Sequence, residues 1–157
     1  MHSLPDDPAA RHGWCLRRRV LPQHTDHAGV MWHGSYLAWL EEARVEALAG
    51  AGLAYSDLAA RGLGLPVVSL AIDYRQALLH GDSVEVWSTV APRRGPRFPW
   101  ISRFYTGLGA LAAEARVELV LVDLSGGPQH QRLLRRVPPD LAQAVARLEA
   151  EIGRAHV

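Results

Sequence analysis

SYLAWLEEARVEALAG, residues 35–50, decides how the rest of the chain must be arranged. Tyr36, Leu40, Ala43 and Ala47 recur at helical spacing, and Leu37, Trp39 and Leu48 widen that apolar stripe over most of the circumference. Only Glu41, Glu42, Arg44 and Glu46 carry charge. Ser35 is the expected N-cap, because its hydroxyl can accept a free N–H of the first turn. Gly50 and Gly52 close the helix. A helix this apolar is wrapped by other elements instead of lying on a surface.

The wrapping elements follow it. A short helical piece is expected over Tyr55 to Ala60, and then the spacing changes to the alternation of strands. Pro66 to Arg75, Val84 to Ala91 and Arg97 to Thr106 read as strands, and Ala112 to Leu124 as the longest one. They are separated by His80-Gly81-Asp82-Ser83, by Pro92 to Pro96, and by Gly107 and Gly109. Upstream, Trp14 to Leu21 is a strand running into Pro22. Short turns without intervening helices imply antiparallel pairing. The expected class is therefore α+β, with a five-stranded antiparallel sheet around a long central helix. One such sheet is too small to cover the helix alone, so a partner subunit is expected to complete the cover. Gly126, Gly127 and Pro128 end the sheet. Asp140 to Ile152 is a last amphipathic helix, with Leu141, Val145, Leu148 and Ile152 on one face.

At 157 residues and 17.2 kDa the chain fits one domain. The expected division is a loose N-terminal arm over 1–13, one domain over 14–125, and a C-terminal extension over 126–157. A mean hydropathy of −0.04 with 48% hydrophobic residues excludes a disordered or coiled-coil chain. No apolar run reaches the roughly 18 residues of a membrane helix, so no membrane partner is expected. A formal charge of +1 gives no field for nucleic acid. Cys15 is the single cysteine, and Met1 to His12 lacks the apolar core of a secretory signal. A reduced, cytoplasmic setting is the expectation.

The densest chemistry lies just before the helix, in Gln23-His24-Thr25-Asp26-His27-Ala28-Gly29-Val30-Met31-Trp32-His33-Gly34. Three of the eight histidines and one carboxylate fall within ten residues, at a helix start. A helix N-terminus offers unpaired N–H groups and partial positive charge, which suit a developing oxyanion. A carboxylate a few residues upstream can attack a carbonyl or activate a water. Gly29 and Gly34 allow close backbone approach.

Asp26-x-x-Gly29-Val30-x-x-His33-x-x-Tyr36, followed by Trp39-x-Glu41-x-Ala43-Arg44, resembles the 4-hydroxybenzoyl-CoA thioesterase-like group of hotdog-fold acyl-CoA thioesterases. Ile72-Asp73-Tyr74 and Gly81-Asp82 also sit where that family has a strand and its following turn. The resemblance spans about residues 14 to 125. It implies a hotdog fold and hydrolysis of an acyl-CoA or acyl-carrier thioester, with no cofactor beyond the CoA of the substrate. It implies that Asp26 acts as nucleophile or general base, and that the backbone N–H at His33 polarises the thioester carbonyl. Gly29, Gly34 and Tyr36 fall in the substrate-binding motif. A homodimer or homotetramer with the site at a subunit interface is implied as well. This chain departs from the pattern at two positions: His24 replaces the family's first Asp, and His27 occupies a position that is usually small. A second branch of the family uses a helix glutamate, for which Glu41, Glu42 and Glu46 are available.

Arg93, Arg94 and Arg97 at a turn can meet CoA phosphates through their guanidinium forks, or form a solvated turn. Arg132, Arg135 and Arg136 carry the same two readings. Trp32, Trp39, Trp87 and Trp100 are candidates for an acyl pocket or for core, and Cys15 reads as packing. His24-Thr25-Asp26-His27-x-Gly29 also resembles part of the metal-binding motif of metallo-β-lactamase-type hydrolases, but Pro22 stands where its first His belongs. No metal is expected. The competing functions are a hotdog protein that binds acyl-CoA without turnover, and a hotdog hydratase.

Overall fold

The structure, a computed structural model, describes residues 11–150 and 155–156. Strand β1 (Gly13–Arg19) leads through a single turn at Pro22–His24 and a tight loop into helix α1 (His33–Gly50). The short helix α2 (Tyr55–Ala60) and strand β2 (Leu63–Gly64) come next. Four strands follow: β3 (Val67–Tyr74), β4 (Ser83–Val90), β5 (Arg97–Thr106) and β6 (Leu111–Val120). The chain closes with β7 (Val122–Asp123), β8 (Arg132–Leu133), α3 (Pro139–Ala150) and β9 (Ala155–His156).

The main sheet runs β3-β6-β5-β4-β1-β9. Its first five strands pair antiparallel throughout, which is the expected five-stranded sheet. The two-residue β9 is added in parallel beside β1. Period-two alternation sends Leu16, Val86, Phe104, Ala115 and Val117 to one face, and all five are buried there under α1. Ala113 and Ala115 leave room for the helix, and Tyr36 packs its ring 5.0 Å from that of Phe104. Each large side chain fully buried in this layer contributes about 1.5–3 kcal/mol. Ser88 and Ser102, opposite each other on the same face, satisfy one another at 2.7 Å.

Several sequence expectations are corrected. The helix starts at His33, two residues before Ser35, and Trp32 occupies the N-cap without a capping side chain. Ser35 is buried, and its hydroxyl donates to the carbonyl of His24 at 2.9 Å, so it ties the helix to the loop and does not cap it. The run expected as one strand over Ala112 to Leu124 stops at Val120. Beyond Leu121 it leaves the main sheet, and Val122–Asp123 pairs with β2 and β8 in a separate three-stranded sheet. Arg11 to Gly13, grouped with the loose arm by sequence, are held: Arg11 stacks 4.0 Å over the Tyr105 ring, and Gly13 begins β1. The rest of that arm lies outside the described residues.

Helix α3 buries Leu141, Val145 and Leu148 as expected, while Ile152 lies outside the described residues. Arg147 donates to the carbonyl of Ala51 at 2.6 Å, and so occupies an orphan acceptor at the C-terminal end of α1. On the outer face of the sheet Cys15, Trp87 and Tyr105 form a small second cluster. Burial pushes the Cys15 thiol up to about 11, so it is an inert packing group. Among the described residues no helix is long and apolar enough to cross a membrane.

Candidate active site

The loop between β1 and α1 is a small hairpin. The amide of Asp26 donates to the carbonyl of Val30 at 2.9 Å, and that of Trp32 to the carbonyl of His24 at 3.1 Å. At its tip, Gly29 donates to the carbonyl of Asp26 and adopts φ +78°, the left-handed region that favours glycine. A turn followed by a left-handed residue is a common way to close a short hairpin. The hairpin is bolted to the segment between β3 and β4: Met31 donates to Leu78, and His80 donates to Gly29.

Asp26 is the first residue of that turn. Its Oδ1 accepts from the amides of Ala28, at 2.8 Å, and Val30, at 3.2 Å. This is the local bonding by which Asp stabilises turns. Among the described residues Oδ2 accepts no hydrogen bond, and the residue is exposed. The carboxylate is therefore fixed by one oxygen and presents the other.

The base of the hairpin opens on the first turn of α1. With no capping side chain at Trp32, the amides of His33 and Gly34 have no acceptor among the described residues. His33 is exposed, and its ring meets that of Trp32 edge-on at 5.0 Å. The Trp32 indole lies directly over Gly34: a Cβ there would meet ring atoms at 2.4 Å, so glycine is what lets the indole lie across the helix start. His24 is structural. Its Nδ1 accepts from the amide of Leu21 at 3.0 Å, and its ring packs 5.1 Å from that of Trp39. Among the described residues no three His, Cys, Asp or Glu side chains are gathered as a metal would need.

Tyr36 is 2% exposed and lines a pocket of about 340 Å³ with Val30, Met31 and the run from Tyr74 to Ala77. Burial pushes its phenol up to about 12, so it stays protonated. Arg75, Gln76 and Ala77 are pocket residues that the sequence reading missed, and Tyr74, quoted in the Ile72-Asp73-Tyr74 match, was not read as lining a pocket. Arg75 to Ala77 follow β3 without a motif of their own, and their only signal was the end of the strand pattern before Gly81. Leu21, Trp32, Leu37 and Leu79 leave a 40–50% exposed apolar rim around the same loop.

The structure does not bring Arg93, Arg94 and Arg97 to Asp26 within one chain. Arg97 pairs with Val120, whereas Tyr74 and Ala113 stand at the other end of the same strands, beside the Asp26 hairpin. Arg97 and Arg94 face Glu118 at 2.7 and 3.7 Å, and Arg93 donates to the carbonyl of Arg135 and covers the Phe98 ring. Arg132 pairs with Asp123.

Five antiparallel strands around one long helix, with an exposed carboxylate in the loop that leads into it, are the arrangement of a hotdog protein. Residues 20–145 match the family model described as the thioesterase-like superfamily, and the chain belongs to that family. The protein sll0410 of Synechocystis is 36% identical over 131 residues, covering 83% of this chain and 76% of the relative. The acyl-CoA thioester hydrolase YbgC of Escherichia coli is 30% identical over 105 residues, covering 67% of this chain and 78% of its own. Among solved structures, a DHNA-CoA thioesterase from Staphylococcus aureus superimposes with a TM-score of 0.76 at 25% identity, covering 87% of this chain and 90% of that one.

Proposed function

We propose that this protein hydrolyses an acyl-CoA thioester to a free carboxylic acid and CoA. One observation carries the reading: in the loop that leads into α1, Asp26 is held through Oδ1 while its Oδ2 accepts no hydrogen bond, and the first amides of the helix have no acceptor, among the described residues. The thioester carbonyl oxygen sits at the amides of His33 and Gly34, which stabilise the charge that develops on it. Each such donor is worth about 3–4 kcal/mol in the transition state. Asp26 either attacks the carbonyl carbon or removes a proton from an attacking water. The C–S bond breaks and CoA leaves as a thiolate, which needs no strong acid to assist it. In the first route water then cleaves the acyl-aspartyl anhydride and regenerates the carboxylate. The pocket at Tyr36 and Tyr74 receives the acyl group. These steps call on no metal and no cofactor beyond the CoA of the substrate.

A second copy of the chain completes the site in this reading. Strand β3 is an edge of the sheet, and Val67, Val68, Leu70 and Tyr74 along it are 43–53% exposed. An unpaired apolar edge of this length is a template for pairing with another chain. Arg44 on α1 supports the same arrangement. It is 8% exposed, its Nε has no partner among the described residues, and burial pulls its pKa down. A buried guanidinium nitrogen left without an acceptor is costly, and in this reading a second copy supplies one.

The test is thiol release from a panel of aromatic and aliphatic acyl-CoA and acyl-carrier thioesters. Turnover of any member above the buffer rate is the expected result, and its best substrate names the acyl group. Tight binding of such thioesters without release would overturn hydrolysis in favour of a binding protein.

A further inference from the structure

Ser35 is a small polar side chain in a buried stretch of α1, 5% exposed among the buried residues Tyr36, Trp39, Leu40 and Ala43. Alanine would fill that position with a better helix propensity, so the hydroxyl is what sets serine apart there. A serine inside a helix usually bonds a carbonyl of its own preceding turn. This hydroxyl leaves the helix instead and donates to the carbonyl of His24 at 2.9 Å. The same carbonyl accepts from the amide of Trp32 at 3.1 Å. Both of its lone pairs are thereby given to the start of α1.

The turn that carries this carbonyl is stiff. The His24 amide donates to the carbonyl of Leu21, and its Nδ1 accepts from the amide of Leu21. The amide and hydroxyl of Thr25 both donate to the carbonyl of Pro22, at 3.1 and 2.8 Å. Asp26 follows directly and opens the hairpin. That hairpin is braced internally, and the bonds of Met31 and His80 fasten it to the segment between β3 and β4. Neither of those bonds fixes its tilt against α1. Among the described residues the Ser35 hydroxyl makes the one side-chain hydrogen bond between residues 20–32 and the helix.

In the proposed hydrolysis Asp26 acts at the carbonyl carbon, and the amides of His33 and Gly34 act at its oxygen, about 1.2 Å away. A misplacement of about 1 Å between such groups can cost about a hundredfold in rate. We propose that Ser35 is a positioning residue: its hydroxyl, through the His24 carbonyl, fixes where the Asp26 carboxylate stands relative to the amides of His33 and Gly34. The catalytic consequence rests on the thioesterase reading, whereas the tie between loop and helix does not.

Ser35→Ala removes the hydroxyl and leaves no orphan acceptor, because the His24 carbonyl keeps the Trp32 amide. The variant should melt close to the wild type. In thiol release it should lose about tenfold to a hundredfold in kcat, while KM holds within about twofold. Made in the Asp26→Asn background, the same substitution should cost less than about threefold, because no carboxylate is left to position. Amide hydrogen exchange supplies a reading that needs no substrate. In Ser35→Ala the amides of Asp26 and Trp32 should exchange at least about tenfold faster, while those of Leu40 to Leu48 keep their rates. Wild-type kcat in Ser35→Ala overturns the proposal, as does an equal loss in the Asp26→Asn background. A melt far below the wild type, or faster exchange along all of α1, also overturns it and makes the hydroxyl a packing feature only. If the wild type cleaves no thioester, the hydrolase reading falls by itself and exchange decides alone. Loosening confined to the loop then upholds the tie that sets its register, and unchanged rates sink it.

Discussion

Asp26→Asn separates the charge of the proposed catalytic carboxylate from its shape. The Asn carbonyl oxygen can take the place of Oδ1 and keep both hydrogen bonds, from Ala28 at 2.8 Å and Val30 at 3.2 Å. The hairpin therefore survives, and stability should change by less than about 1 kcal/mol. The free oxygen becomes an amide nitrogen that can neither attack nor accept a proton. A positioned base contributes about a hundredfold to ten-thousandfold, so kcat should fall by that factor, or about 3–5 kcal/mol of barrier. Asp26→Ala adds a second effect, because the two amides of the turn lose their acceptor at a cost of about 1–3 kcal/mol. The assay is thiol release under saturating acyl-CoA, with thermal melting of all three proteins alongside. If the Asn protein keeps more than about a third of the wild-type rate with an unchanged melt, the assignment of Asp26 is wrong. The search then moves to Glu41 and Glu46 on α1, since Glu42 is held by Arg18.

Arg147→Ala removes the side chain that satisfies the Ala51 carbonyl at the end of α1, so the melting temperature should drop by the equivalent of about 1–3 kcal/mol while kcat holds. Glu85→Gln probes the outer face through pH. Burial pushes the Glu85 carboxyl up, but hydrogen bonds from Trp87 and Arg17 and the charges of Arg11 and Arg17 outweigh it, and the net shift is downward. A carboxyl with a lowered folded-state value contributes stability above its unfolded pKa of about 4.3, and loses it as pH falls through the folded value. The wild type should be the more stable protein at neutral pH and should converge with the variant in acid; equal melts at neutral pH would discard the argument. Leu70→Lys places a charge on the open edge of β3, and should convert a dimer into monomers in sedimentation with loss of turnover. A variant that stays dimeric and active would rule out pairing through that edge.

Much of this architecture was legible in the chain because it depends on local repetition. Residues 35–50 repeat apolar groups at helical spacing, and Arg97 to Thr106 begins and ends where its residue pattern placed it. Boundaries set by tertiary bonds were not legible. Ser35 looks like a cap, yet its hydroxyl goes to His24, eleven positions back. The break at Leu121 is hidden because an apolar run reads the same whether one sheet or two takes it up. Arg94 and Arg97 looked free because Glu118 is opposite them only once β5 and β6 are in register. The Asp26 motif was visible as spacing; that one of its oxygens accepts no hydrogen bond among the described residues was not, since that depends on how the turn folds. Arg75 to Ala77 joined the pocket without a motif of their own, through the return of the chain past Met31.

The Asp26 hairpin is fastened to its neighbours by main-chain bonds, through Met31 to Leu78 and His80 to Gly29. Such fastening is indifferent to side-chain identity. The shape of the Asp26 loop therefore places little demand on the side chains around it. His27, His80, Gln76 and Ala77 can be exchanged without removing either bond. In the proposed reading, a change of acyl group asks only for a new lining of the pocket at Tyr36 and Tyr74, while the Asp26 loop stays as it is.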